Sequence, residues 1–128
     1  MKVLFVCYGN SCRSPMAEAI FNTINNEHGI RAVSAGINPA NKIQPETIQV
    51  LKEKGFETHD LFPSLVTPEM IANSFKVIAM DAWVAEQLDG RAHETWDIPD
   101  PYKNPIDSYR RTRDILIEHV ERLIKTLD

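Results

Sequence analysis

The apolar run Val3-Leu4-Phe5-Val6 breaks directly into Cys7-Tyr8-Gly9-Asn10-Ser11-Cys12-Arg13-Ser14-Pro15. A run with no polar alternation has to be covered on both faces, as strands of a parallel sheet are. The small polar residues after it make a tight loop. Ser14 then reads as an N-cap and Pro15 as the first residue of a helix. A loop that enters a helix gathers backbone N–H groups and the positive end of the helix dipole, which suits a phosphate-sized anion. A thiol in the same cradle loses its proton readily, because the thiolate is then the stabilised anion. Arg13 adds a planar fork that can grip two oxygens of one phosphoryl group. Asn10 tolerates the left-handed backbone that a tight loop needs.

The rest of the chain alternates in the same way. Residues 3–7 form the first strand. Met16, Ala17, Ile20, Phe21 and Ile24 recur at helical spacing, and Gly29 closes that helix. Residues 31–35 read as a second strand ended by Gly36, and residues 37–44 as a loop marked by Asn38, Pro39 and Asn41. Pro45 opens a helix with Ile48 and Leu51 inward and Gly55 at its end. Residues 58–67 look irregular, with a short helix over Pro68–Ala72. A third strand over 75–80, a helix over 81–88 and a fourth strand over 94–98 follow. Pro99-Asp100-Pro101-Tyr102 is a turn by composition. The last helix covers 106–127 with Tyr109, Ile115 or Leu116, Val120, Leu123 or Ile124, and Leu127 as its apolar stripe. Such alternation predicts an α/β fold: a single-domain open parallel four-stranded sheet, strand order 2-1-3-4, with helices on both faces. Ligands of open α/β sheets bind at the carboxyl ends of strands beside a switch point, which is where the Cys7 loop falls.

One domain over residues 1–128 fits the length. The net charge of −4 argues against nucleic acid or an anionic membrane as partner, so an anion site has to be local. No targeting segment is visible and no stretch can span a bilayer, which makes a cytoplasmic address the expectation. Cys7 and Cys12 do not form a secreted disulfide framework, and His28, His59, His93 and His119 lack metal-ligand spacing. No metal site and no cofactor is expected.

Alone, Cys7 would read as a structural thiol at the end of a core strand. With Arg13 and the strand–loop–helix context it reads as a nucleophile. A Walker-type loop is excluded, since no Gly-Lys-Ser/Thr closes this one. Cys-x5-Arg-Ser-Pro near the start, Gly9-Asn10 inside the loop, Ser34-Ala35-Gly36, Met80-Asp81 and the late Asp100-Pro101-Tyr102 together resemble the low-molecular-weight protein tyrosine phosphatases, in the same order over nearly the whole chain. The resemblance implies that Cys7 attacks phosphorus and forms a cysteinyl-phosphate. It implies that Arg13 and the amides of Tyr8, Gly9, Asn10, Ser11 and Cys12 hold the oxygens. Asp100 would protonate the leaving oxygen and later accept a proton from water, presented by a loop stiffened by Pro99 and Pro101. Composition alone makes Asp100 a turn aspartate, with Asp97 as the competing acid. Ser14 would donate to the thiolate, and Tyr102 would stand at the substrate site. Ser34 and His59 would brace Asn10, although His59 also reads as a solvated loop histidine. Cys12 either packs or traps oxidised Cys7 as a disulfide.

The chain departs from the family pattern around the mouth of the site. Tyr8 is larger than is common, Ser11 replaces an aliphatic residue, and Lys103 stands where a second aromatic is frequent. Residues 37–39 lack a flanking aromatic, an Arg common after the His59 region is missing, and Val84 takes the place of an Asn. These changes bear on the leaving group and leave every catalytic group in place. The expected partner is a phosphotyrosine-containing protein or a small aryl phosphate, with affinity for phosphate and similar oxyanions, acting as a monomer. A phosphoarginine phosphatase is an alternative, because members with that preference carry a small hydroxyl residue at the place of Ser11. An arsenate reductase is another. Its thioredoxin-coupled form needs two later cysteines that are absent after Cys12, which leaves only reduction by external thiols. A non-catalytic anion-binding module should lack the nucleophile or the acid, and both are present.

Overall fold

The structure is a computed structural model that describes residues 1–25 and 29–127. Four parallel strands lie in the order β2-β1-β3-β4: β1 (Lys2–Cys7), β2 (Arg31–Gly36), β3 (Lys76–Ala79) and β4 (Glu94–Thr95). The helices are α1 (Arg13–Ile24), α2 (Pro45–Glu53), α3 (Pro68–Ala72), α4 (Ala82–Gln87) and α5 (Ile106–Lys125). The predicted fold class and strand order are those observed.

The two-sided burial of β1 follows from its pleat. Val3, Phe5 and Cys7 point to one face and pack with Met16, Ile20, Leu51, Tyr109, Leu116 and Val120 of α1, α2 and α5. Leu4 and Val6 point to the other and pack with Val84 and Leu88, beside Met70 and Ile71 of α3. On α5 the buried stripe takes Leu116 rather than Ile115 and Leu123 rather than Ile124, and it includes Thr112 and Arg113. Arg113 can lie there because its Nη1 donates to Val50 O at 3.0 Å and to Glu53 at 2.7 Å. Arg110 takes the same carboxylate. Together the two guanidiniums draw Glu53 down to about 2.

Several element ends differ from the sequence reading. The sequence predicts an N-cap at Ser14, yet α1 begins at Arg13 and Ser14 is its second residue. Cys12 occupies the cap position and makes no side-chain cap bond, so the N–H groups of this helix end stay free for another acceptor. At the far end α1 stops at Ile24, where Asn25 N–H bonds Phe21 O. The sequence carries this helix on to Gly29, but residues 26–28, His28 among them, and Asp128 lie outside the described residues. On α2 the inward residues are Thr47, Val50 and Leu51, with Ile48 only half-buried. The fourth strand is regular only over Glu94–Thr95, although Trp96 and Ile98 still donate to Ala79 O and Met80 O. Pro99, which has no N–H, ends that pairing.

Candidate active site

The Cys7 loop lies at the carboxyl end of β1 and is tied from behind by the segment after β2. Ile37 N–H donates to Cys7 O at 3.1 Å, Asn38 to Tyr8 O at 2.8 Å, Ala40 to Gly9 O at 2.9 Å and Gln44 to Ser11 O at 3.1 Å. Thr47 Oγ1 adds a bond to Ser11 O at 2.9 Å, which is why Thr47 rather than Ile48 turns inward. The loop carbonyls therefore point outward. Among the described residues the N–H groups of Tyr8, Gly9, Ser11 and Cys12 have no protein acceptor. Gly36 makes the close fit possible. A Cβ there would stand 2.9 Å from Asn10 Cβ, Asn10 N and Tyr8 O. Asn10 has φ 49°, the left-handed backbone that its residue type allows.

Cys7 is buried, and Asn10 N–H approaches its sulfur at 3.2 Å. Ser14 Oγ lies 2.9 Å from the same sulfur. The direction of that bond follows from its neighbours. Asn10 Oδ1 accepts Ser64 N–H at 2.8 Å, which fixes the amide orientation. Asn10 Nδ2 then donates to Ser14 Oγ at 2.8 Å and to Ser34 Oγ at 2.9 Å. Ser34 gives its hydrogen to Glu18 Oε1 at 2.6 Å. Ser14 has accepted one bond and has one hydrogen left, with Cys7 sulfur at 2.9 Å and Ala35 O at 3.5 Å as the acceptors within its reach. Burial pushes the Glu18 carboxyl up, against the pull of the Ser34 hydrogen bond and the Arg31 charge.

The expected brace from His59 is not formed. His59 is exposed and sits 3.3 Å from Asp60, while both Asn10 hydrogens go to serines and its oxygen takes Ser64 N–H. Both amide hydrogens and one acceptor position are used without it, and Glu18 anchors the far end of the chain of bonds.

Arg13 is buried, and its guanidinium is aimed by partners distant in sequence. Nη1 donates to Asp81 Oδ2 at 2.9 Å and to Ile98 O at 3.1 Å. Asp81 also accepts Val84 N–H at 2.7 Å as the N-cap of α4, so its carboxylate is held on both sides. Nη2 stands 3.8 Å from Asp100 Oδ2. Asp100 is half-exposed at the rim, and its Oδ1 accepts Tyr102 N–H at 3.1 Å. Asp97 is exposed and takes no part in the cavity wall.

These groups enclose a cavity of about 250 Å³. Cys7, Gly9, Ser11, Cys12 and Arg13 form its floor, and Tyr8, Asn38, Pro39, Ala40, Asp100 and Tyr102 stand around it. Asn38, Pro39 and Ala40 join the predicted residues because the segment that ties the loop carbonyls also makes one rim. Cys12 faces Tyr109 Oη at 3.8 Å and Ser11 Oγ at 3.7 Å. Burial pushes its thiol up, offset in part by the hydrogen bonds from Ser11, Tyr109 and Thr47. Among the described residues no three His, Cys, Asp or Glu side chains converge as a metal site, and no helix is long and apolar enough to cross a membrane.

Converging amides, a fixed guanidinium and a sulfur at the base define an oxyanion cradle at the switch point of a doubly wound sheet. Hydrogen bonds to charged groups contribute roughly 1.5–3 kcal/mol each, so several converging on one anion outweigh a modest net negative charge spread over the surface. The sequence profile described as low molecular weight phosphotyrosine protein phosphatase matches residues 2–128, and the chain belongs to that family. It is 33% identical to a protein-arginine-phosphatase of Bacillus subtilis, over 99% of this chain and 97% of the relative. It is 28% identical to the low molecular weight protein-tyrosine-phosphatase PtpB of Staphylococcus haemolyticus, over 96% and 97%. The solved structure of a low molecular weight protein tyrosine phosphatase from T. tengcongensis superposes with a TM-score of 0.90 at 32% identity, covering 99% of both chains. The arginine phosphatase YwlE from Geobacillus stearothermophilus superposes with a TM-score of 0.85 at 33% identity, over 98% of this chain and 92% of that one. The protein is thus an enzyme of the low-molecular-weight phosphatase family.

Proposed function

We propose that this phosphatase acts on phosphotyrosine and related aryl phosphates, in the cytoplasm and as a monomer, through a cysteinyl-phosphate. The observation that carries the reading is Ser14 Oγ standing 2.9 Å from Cys7 sulfur beneath loop amides that have no protein acceptor among the described residues. The ionised sulfur attacks phosphorus; an S–P bond forms as the bond to the leaving oxygen breaks. The amides of residues 8–13 and Arg13 take the charge of the equatorial oxygens. Asp100 transfers its proton to the departing oxygen. Water then attacks the phosphocysteine, Asp100 accepts the proton, and the sulfur departs with Ser14 hydrogen-bonded to it. Tyr8 and Tyr102 at the rim favour a flat aromatic leaving group.

Phosphoarginine is the second reading. Two relatives, 33% and 32% identical over nearly the whole chain, are described as protein-arginine-phosphatases, and Ser11 is a small hydroxyl residue in the cavity floor. The ratio of kcat/KM on a phosphotyrosine peptide to that on a phosphoarginine peptide decides between them. A ratio above one is expected, and a ratio well below one assigns the enzyme to phosphoarginine.

A further inference from the structure

Tyr8 is half-exposed, yet its ring is held at two points. Its hydroxyl accepts Asn38 Nδ2 at 2.9 Å, and its ring meets the indole of Trp83 at a centroid distance of 5.7 Å and an interplanar angle of 60°. Trp83 is 48% exposed, an unusual position for so large an apolar side chain. It lies in the first turn of α4, two residues after Asp81, the carboxylate that aims Arg13. One short turn therefore serves the bottom of the site through Asp81 and its outer wall through Trp83. Opposite, Tyr102 stands beside Asp100, with Lys103 Nζ 5.5 Å from its ring centre. A phosphoryl group seated over Cys7 must send its leaving group out between the two tyrosines.

We propose that Trp83 is a specificity-determining positioning residue: by holding the Tyr8 ring against the mouth of the cavity, it selects phosphomonoesters whose leaving group is a flat aromatic ring. Trp83 acts through Tyr8. Without the indole, Tyr8 keeps only its hydroxyl anchor and swings out on its two side-chain torsions, and the stacking surface is lost. The cradle below does not depend on it. The inference rests on the aryl phosphatase reading and adds the residue that enforces it. An aromatic contact of this kind corresponds to about threefold to tenfold in affinity.

The test compares the full-length enzyme with Trp83→Ala, Trp83→Leu and Trp83→Phe, reading calorimetric affinity for benzylphosphonate and for inorganic phosphate, and kcat and KM for p-nitrophenyl phosphate. Trp83→Ala and Trp83→Leu should weaken benzylphosphonate binding and raise KM by about threefold to tenfold, with kcat and phosphate affinity within about twofold of the parent. Trp83→Phe should restore most of the loss. Unchanged benzylphosphonate affinity in the Ala and Leu variants would overturn the assignment. So would a parallel loss of phosphate affinity, which would place Trp83 among the supports of Asp81 and Arg13. A parent that binds benzylphosphonate but turns over no aryl phosphate would reject the phosphatase reading, and the binding comparison would still decide the role of Trp83.

Discussion

Cys7 and Cys12 lie in one loop, both buried and both with hydroxyls nearby, yet their surroundings differ in kind. Cys7 ends a polar relay, Glu18–Ser34–Asn10–Ser14, in which Asn10 donates to both serines, Ser34 donates to Glu18, and Ser14 Oγ stands 2.9 Å from the sulfur. Cys12 turns toward Tyr109 and the α5 side of the core, and burial pushes its thiol up. Tyr109 is itself raised by burial and by its proximity to Cys12, so neither group there favours a negative charge. Proximity to a helix N-terminus is thus not what distinguishes the proposed nucleophile, Cys7, from Cys12. The separation comes from where the second layer of hydrogen bonds points.

The sharpest way to break this contrast is to remove each sulfur in turn. Cys7→Ser should lower turnover of p-nitrophenyl phosphate on the order of 10³-fold or more, while Cys12→Ser stays within about tenfold of the parent. Comparable losses in steady-state assays would erase the distinction. Next in size is Asp100, the acid proposed for the Cys7 side. Asp100→Asn should cost about 10²-fold to 10³-fold on alkyl phosphates and clearly less on p-nitrophenyl phosphate, whose leaving group needs no proton. Equal losses across leaving groups would move the acid elsewhere.

Ser14→Ala isolates the last link of the relay. Turnover should fall by about tenfold to a hundredfold, the worth of one hydrogen bond to a charged sulfur. Iodoacetamide labelling, followed by peptide mapping, should slow at Cys7 and stay unchanged at Cys12. Equal slowing at both would indicate a general collapse of the loop. The smallest effect concerns the far end of the relay. A carboxyl raised by burial keeps its proton in the folded state at a pH where the unfolded chain has lost it. Its stabilising contribution is therefore full below the ordinary value of 4.5 and fades as pH rises through the raised folded value. Glu18→Gln, which still accepts from Ser34, should melt at about the parental temperature below that point and a few degrees higher at neutral pH. A melting difference that does not vary with pH would show that Glu18 is not held in its raised state.

The half of the site that is contiguous in sequence was legible. Val3 to Ser14 run as strand, loop and helix, and Cys7, Arg13 and the loop amides fall where their order along the chain implies. Ser34 was implied by the family resemblance alone, and the pairing of β2 with β1 places it opposite Phe5. The parts that were not legible are those set by packing between distant segments. Asp81 enters the sequence reading only as part of Met80-Asp81; its capping of α4 and its bond to Arg13 appear once β3 lies beside β1. Glu18 carries no mark in the sequence; its carboxylate joins the site through the bond from Ser34 Oγ. Ser64 contributes a backbone N–H, which leaves no mark in a side-chain pattern. His59 was expected at that position because the family pattern suggests it, but here the loop through Ser64 satisfies Asn10 first. Ser14 divides: a serine before proline resembles a cap, which it is not, while the expected approach of its hydroxyl to the sulfur is present at 2.9 Å.

The carbonyls of Cys7, Tyr8, Gly9 and Ser11, each fastened to the segment of residues 37–44, leave that loop little to rearrange when an anion arrives. A receptacle rigid before use cannot tell an incoming ester from spent orthophosphate by closing around one of them. Inorganic phosphate in the surrounding fluid therefore competes for the same seat, and discrimination is left to whatever part of the ester projects beyond it.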